Sequence, residues 1–438
     1  MTRIETGNSS SLSRRQFLQR SGVAAAALGP GLTLARTAHA AGDDVIRVGL
    51  VGCGGRGTGA AAQAMQADPG VRLVAMADVF ASRVQNSRKA LQQQRPEQVA
   101  VDDDHCFVGL DAYQKVIAAS DVVLIANAAK FHPLHMAAAI EAGKHVFVEK
   151  PHAIDPAGIQ LAARACELAK QKGLGVLSGL HSRFQADIQE TIKRIHDGQI
   201  GEIVAIEENF LRGPYGNTTR SAELSEMENQ YANQYRFSWL CGDDVTQSLV
   251  HNLDRATWAL GETPPLRCHG LGGRSGVQTL LGDVFDHHSV VYHYANGVRL
   301  YANTRTTLNC YGEYSSIVMG SKGLAWLMNG RIDGEKPWRF EGPVPEAHQA
   351  EQTAFFKSLR EGQPLHCGDY MTRSTLVSIM GQLACYSGKQ ITWEQAVQSE
   401  YFLPPAVDQC TWDMDPPTQP DEQGVYPVCA MPGVTTTI

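Results

Sequence analysis

Residues 45–57 read V-I-R-V-G-L-V-G-C-G-G-R-G. A run of β-branched and aliphatic residues stops at a turn that carries Gly52, Gly54, Gly55, Arg56 and Gly57, and small alanines follow from Ala60 to Ala62. Strand, glycine turn and helix start is the arrangement that presents helix-terminal N–H groups to a pyrophosphate. Gly52 allows the tight turn, Gly54 the close approach of phosphates, and Gly57 close packing of helix on strand. A second strand, Arg72 to Ala77, ends in Asp78, about twenty residues further on, where the dinucleotide fingerprint places an acid. A carboxylate there accepts both ribose hydroxyls of NAD and repels the extra phosphate of NADP. The expectation is therefore NAD, with NADP disfavoured.

Outward from this stretch, the chain continues as alternating strands and helices. Asp121 to Ala126 is apolar throughout, as a buried parallel strand is. Pro133 to Ala142 reads as a helix closed by Gly143. His145 to Val148 is the next strand, followed by Glu149-Lys150-Pro151, a helix from Pro156 to Lys172 and a strand from Leu174 to Leu180. The pattern predicts an α/β, doubly wound parallel sheet over residues 41–182, its ligand crevice at the strand C-termini. Gly52 to Gly57, Asp78, Asn127, Glu149, Lys150, His181 and Arg183 all stand at such termini and are expected to converge.

Residues 183–402 change character. Glu202 to Leu211, Asp286 to Tyr294, Gly297 to Thr307 and Ser315 to Gly320 alternate polar and apolar residues, which predicts half-buried, mainly antiparallel strands in an open-faced mixed sheet. Ala295-Asn296-Gly297 marks a hairpin. An open face needs cover, so a homo-oligomer is expected. His287, His288 and His293 fall on these strands and take a structural or interface role. Residues 403–438, rich in Pro and Gly, read as an extended tail.

One helix of this second domain carries candidate chemistry. Asp243 reads as its N-cap after Gly242. Gln247, His251, Asp254 and Trp258 fall within one narrow arc, and Val245, Leu249, Leu253, Ala256 and Leu260 lie opposite. An imidazole flanked by an amide and a carboxylate, on a helix that buries its other side, is a candidate proton acceptor. Tyr235, Arg236 and Trp239 just upstream form an aromatic platform with a guanidinium, suited to a sugar face and its hydroxyls. His132 and His135 lack a third ligand, so no metal site is expected.

The start of the chain bears on where the protein works. Ser13-Arg14-Arg15-Gln16-Phe17-Leu18 is a twin-arginine pattern, followed by a short apolar run from Gly22 to Leu34 and by Ala38-His39-Ala40. Residues 1–40 are read as a signal peptide cut before Ala41. The run is too short to be a stable membrane span. Twin-arginine signals address folded proteins, so the partners are the export machinery and the location is the periplasm or beyond. The chain of 438 residues carries a net charge of −7. Five arginines and one glutamate lie in the first 40 residues, which leaves the remainder at −11. That balance argues against nucleic acid or an anionic membrane as partner. Ten cysteines occur without a C-x-x-C pair; Cys410 and Cys429 are the candidates for a disulfide after export.

The glycine turn, Asp78, Glu149-Lys150-Pro151 and the Gly242…His251-Asn252-Leu253-Asp254 helix together resemble the Gfo/Idh/MocA oxidoreductase family. The resemblance implies a Rossmann domain, an open-faced α/β domain and a nicotinamide cofactor between them. It implies hydride transfer at a carbon of a small carbohydrate. Lys150 would stabilise charge on the reacting oxygen and His251 would take the hydroxyl proton. Asn127 and His132 would stand at the nicotinamide half. Many members have Asp four residues before the His; Gln247 departs from this, and a neutral amide binds a substrate hydroxyl rather than accepting a proton. Asp254 would orient His251 or meet a substrate hydroxyl, and Arg183 and His181 would reach cofactor or substrate. Exported members hold their cofactor tightly. The family also contains glycosidases, family 109 among them, that oxidise, eliminate and re-reduce with NAD recycled in place. The sequence does not separate this from net oxidation. A non-catalytic sugar- or NAD-binding protein is disfavoured by the presence of both Lys150 and His251.

Overall fold

The structure, a computed structural model, describes residues 45–215, 220–275 and 282–438. The expected signal peptide lies outside the described residues.

Six parallel strands form the first sheet: β1 (Ile46–Val51), β2 (Val71–Asp78), β3 (Cys106–Val108), β4 (Val122–Ile125), β5 (His145–Val148) and β6 (Val176–Ser178). Their order is β3-β2-β1-β4-β5-β6, the doubly wound order with its switch point between β1 and β4. The apolar strands are buried on both faces: Val122, Val123, Leu124 and Ile125 are all fully enclosed, as a sheet covered by helices on both sides requires. Helices Gly55–Ala67, His132–Glu141 and Pro156–Lys172 follow β1, β4 and β5. Asp155 caps the last of these by accepting the Gly158 N–H at 2.8 Å, and Gly173 ends it in the left-handed conformation.

Among the described residues, nine strands form the second sheet: β7 (Ile203–Arg212), β8 (Arg267–Gly273), β9 (His287–His293), β10 (Arg299–Thr306), β11 (Glu313–Gly320), β12 (Gly323–Trp326), β13 (Arg331–Gly334), β14 (Trp338–Arg339) and β15 (Ile391–Thr392). The order is β14-β13-β12-β11-β7-β10-β9-β8-β15. Only β7 with β10 is parallel among these pairs, so the sheet is mixed and mainly antiparallel. The turn at 295–297 joins β9 to β10, with Gly297 at positive φ. One face packs on helices Val250–Ala259 and Gly368–Ser387. The other leaves Leu271 and Tyr301 exposed.

Residues 347–367 depart from a simple two-part division. Helix Ala347–Arg360 crosses back and packs on the helix after the glycine turn. Phe355, Phe356 and Cys367 join the core built on Val48 and Leu50. The tail 403–438 lies against the body. Trp412 packs on Phe80 and Tyr231, and Tyr426 is buried against Phe237. None of the ten cysteines, Cys410 and Cys429 included, is in a disulfide. Among the described residues no helix is long and apolar enough to cross a membrane.

Candidate active site

The glycine turn closes by contact. Gly52 sits at φ 96° and donates its N–H to the Ala77 carbonyl at 2.8 Å, tying the end of β1 to the end of β2. A Cβ on Gly57 would stand 1.9 Å from the Gly52 oxygen, whereas one on Gly54 or Gly55 would meet nothing within 4 Å. The inner side of the turn is therefore packed by protein and its outer side opens on space. Asp78 accepts the N–H of Cys53 at 2.7 Å and of Phe80 at 3.1 Å, which fixes its carboxylate at the rim. Gly52, Gly54, Asp78, Arg83, Asn127 and Tyr231 are among the residues lining a cleft of about 610 Å³ there.

This cleft adjoins a second cavity of about 720 Å³, and Ala126 and Asn127 line both. The second is lined by Arg56, His132, Glu149, Lys150, Tyr235, Gln247, His251 and His348, with others. The Oδ1 of Asn127 is buried there with no hydrogen-bond partner among the described residues. Arg56 Nε lies 2.8 Å from Glu149 Oε1, so the turn and the strand end of β5 are joined by an ion pair. His132 brings both ring nitrogens to carbonyls, Pro151 at 2.7 Å and Asn127 at 3.0 Å, and braces the loop that carries Lys150. His135 stacks on Tyr113 instead.

The helix expected to run unbroken from Asp243 is interrupted. It forms two pieces, Asp243–Gln247 and Val250–Ala259. The N-cap is Gly242 rather than Asp243, and Asp243 has φ 66°. Its carboxylate is buried, accepting from the N–H groups of Asp244 and Phe285 and from the Tyr386 hydroxyl. At the break, His251 N–H turns to the Ser248 carbonyl rather than that of Gln247. The Gln247 carbonyl is thereby released from the helix ladder. It accepts Lys150 Nζ at 2.7 Å. Lys150 on one domain and the helix of the other are thus held in one geometry. The apolar side is as expected, with Val245, Leu249, Leu253 and Ala256 fully buried. The polar side does not face solvent: Gln247 and His251 face the cavity.

His251 is half-buried. Burial first, then the charge of Lys150 and the neighbouring His181, hold its pKa well below the ordinary histidine range, so the ring is neutral at pH 7 and free to accept a proton. His181 packs on it with ring centroids 4.9 Å apart, and burial lowers the His181 pKa to about 3.

Other sequence expectations are corrected. Arg183 and Asp254 do not line the cavity; they pair with each other. Arg183 Nε and Nη2 fork onto the fully buried Asp254 carboxylate at 3.0 and 2.7 Å, and Ser374 donates to it as well. The guanidinium is further held by Glu262 at 2.5 Å and lies over Trp258 and Tyr370. Asp254→Asn leaves this cation under-compensated in a buried position. The expected loss is about 3–5 kcal/mol of stability, read from chemical denaturation; an unchanged midpoint contradicts it. Trp239 is core, donating its indole N–H to Gln230 at 2.8 Å beside Tyr231. Tyr235 keeps a place in the cavity and packs at a tilt on Tyr215. Arg236 lies at an adjoining cavity of about 330 Å³ with Arg212 and Asp244.

The sequence reading missed His348, Arg212 and Asp244. His348 arrives on the returning helix, announced only by Glu346, which caps that helix by accepting the N–H groups of His348 and Gln349. Arg212 and Asp244 form an ion pair at 2.5 Å, with the guanidinium over the Tyr215 ring.

Comparison with known proteins agrees with this fold. Residues 46–179 match the Gfo/Idh/MocA family model, described as an oxidoreductase family with NAD-binding Rossmann fold. The match lies within the parallel-sheet part of the chain. The chain is 35% identical over 92 residues to the D-glucoside 3-dehydrogenase of Escherichia coli, covering 21% of this chain and 25% of that protein. It is 28% identical over 171 residues to glycosyl hydrolase family 109 protein 1 of Bacteroides fragilis, covering 38% and 35%. These matches span about a quarter to a third of the relatives' lengths. Aldose-aldose oxidoreductase from Caulobacter crescentus shares the fold, with TM-score 0.61 at 19% identity over 80% of this chain and 99% of that one.

Proposed function

We propose that this protein is an exported, NAD-dependent oxidoreductase that transfers hydride between nicotinamide and a carbon of a sugar or sugar derivative. The observation that carries the reading is the 2.7 Å bond from Lys150 Nζ to the Gln247 carbonyl, beside His251, in a cavity adjoining the glycine-turn cleft. The cleft fits a dinucleotide: Gly54 and Gly55 open on unfilled space and Asn127 Oδ1 is buried without a partner among the described residues. Gly52 to Gly57 would cradle the pyrophosphate and Asp78 the ribose. When bound, NAD supplies the hydride acceptor or donor.

The chain's own residues do the rest. Lys150 offers an ammonium group to an oxygen that gains negative charge, which is stabilisation of a developing charge by a fixed donor. Neutral His251 takes the hydroxyl proton. Gln247 and Tyr235 offer an amide and an aromatic face to hydroxyls and ring carbons. The likeness to a family 109 glycosyl hydrolase supports, as a second reading, cleavage of glycosides through the same oxidation step.

Purified protein is expected to carry a nicotinamide absorbance that changes on addition of sugars or glycosides. No change across a broad panel overturns the oxidoreductase reading. Release of nitrophenol from a nitrophenyl glycoside without added NAD would select the second. Asp78→Ala is expected to weaken NAD at least tenfold and to narrow the preference over NADP, since the carboxylate supplies both the acceptor and the repulsion; equal titrations with both dinucleotides in wild type and variant contradict the assignment. A twin-arginine route, with the cofactor loaded and retained, and a homo-oligomer formed through the face bearing Leu271 and Tyr301 belong to the same proposal.

A further inference from the structure

Oxidation of a hydroxyl-bearing carbon sends the C–H electron pair to nicotinamide and leaves the O–H proton to be disposed of. His251, given the hydride-transfer reading above, receives that proton but is a poor place to keep it. The ring is half-buried with its Nδ1 turned inward, and its charged neighbours Lys150 and Arg255 are cations. Arg255 is itself fully buried, donating to Ser182 and Tyr314. Neither can accept a proton.

The His251 ring packs on His181, with ring centroids 4.9 Å apart, and His181 in turn packs on His348 at 4.2 Å. The Nδ1 atoms of His251 and His181 are both buried and have no hydrogen-bond partner among the described residues. At the far end, His348 Nδ1 stands 2.7 Å from Glu346 Oε1. The chain runs from inside to outside: the His348 side chain is 29% exposed and that of Glu346 57%. We propose that His181, His348 and Glu346 form a proton path that carries the substrate's hydroxyl proton from His251 to bulk solvent. In the forward direction the proton bonds to His251, a proton leaves the opposite nitrogen towards His181, and the last one leaves His348 for Glu346 or water. Every ring returns to neutral and one proton is released for each hydride transferred. In reduction the path runs inward. Rotation about the Cβ–ring bond of a histidine is soft, which lets neighbouring rings bring nitrogens into line in turn. Glu346 is anchored at the N-terminus of helix Ala347–Arg360, so the outer end of the path is held in place.

The test uses the full protein with bound NAD and His348→Ala. Single turnover with a sugar that the wild type oxidises is expected to slow at least tenfold, with a larger solvent deuterium isotope effect. Imidazole added to the buffer should restore the rate, which a structural defect would not allow. Unchanged rate and isotope effect, or a loss that imidazole does not rescue, overturns the path. A second measurement needs no substrate: ring-nitrogen NMR of ¹⁵N-histidine-labelled protein. Replacing His348 is expected to shift the tautomer balance of His181 and, through it, of His251; unaltered resonances at both rings overturn the path. A wild type that oxidises no sugar would sink the oxidoreductase reading alone, and the NMR outcome would still decide whether the three rings are coupled.

Discussion

Lys150→Met is expected to lower turnover by about 10²–10³-fold, the usual consequence of removing one donor aimed at a developing negative charge. NAD should stay bound. The variant keeps the unbranched stem and removes the ammonium group, so packing changes little. Lys150 Nζ is not a free surface cation: it is positioned by the Gln247 carbonyl, itself released by the break at Ser248. A cation fixed before substrate arrives requires little reorganisation as charge builds. The loss is therefore expected in kcat, with KM changed less, because the interaction strengthens on the way to the transition state. Stopped-flow measurement of nicotinamide absorbance, with NAD affinity measured in parallel by titration, separates the two. Turnover within threefold of wild type would remove Lys150 from the reacting centre; a loss confined to NAD affinity would reassign it to the cofactor.

Much of this arrangement was legible because short-range patterns carry it. The β1 run, its glycines and Asp78 lie within one βα unit, and the buried strands of the first sheet are continuous apolar runs. Lys150 follows β5 directly. The open second sheet was visible as alternation from Glu202 to Leu211 and from Asp286 to Thr307. Four features escaped for physical reasons. Helical periodicity across 243–260 is equally consistent with one helix or two, because side-chain spacing does not report which carbonyl an N–H chooses at Ser248. Asp254 shares an arc with His251, but its partner Arg183 lies 71 residues away, and only the fold shows that the two satisfy each other. His348 comes from a helix that leaves its own domain to pack against the glycine-turn helix, a return set by Phe355 and Phe356 filling the first core. Trp239 was read as a sugar platform, yet its indole N–H finds Gln230 in the interior.

Gly57→Ala and Gly54→Ala are expected to fail in different ways, and the contrast tests the dinucleotide cradle. At Gly57 the new methyl would stand 1.9 Å from the Gly52 carbonyl oxygen and 3.3 Å from the Ala126 Cβ. Gly52 cannot yield easily: its N–H is bound to the Ala77 carbonyl and the backbone of Ala126 and Asn127 lies close against it. The helix start must therefore lift off β1, at a cost of about 1–3 kcal/mol or more, and the N–H groups that would face a pyrophosphate move with it. Both thermal stability and NAD affinity should fall, the latter by more than a hundredfold. At Gly54 the φ of −72° suits alanine and the methyl meets nothing within 4 Å, so the protein should melt at the wild-type temperature. The methyl nevertheless occupies the space the phosphates need, and NAD should bind at least tenfold more weakly. Calorimetry and NAD titration on the two variants read both quantities. A Gly54→Ala protein that binds NAD as tightly as the wild type would place the pyrophosphate elsewhere, and the case for hydride transfer at Lys150 and His251 would then lack its cofactor.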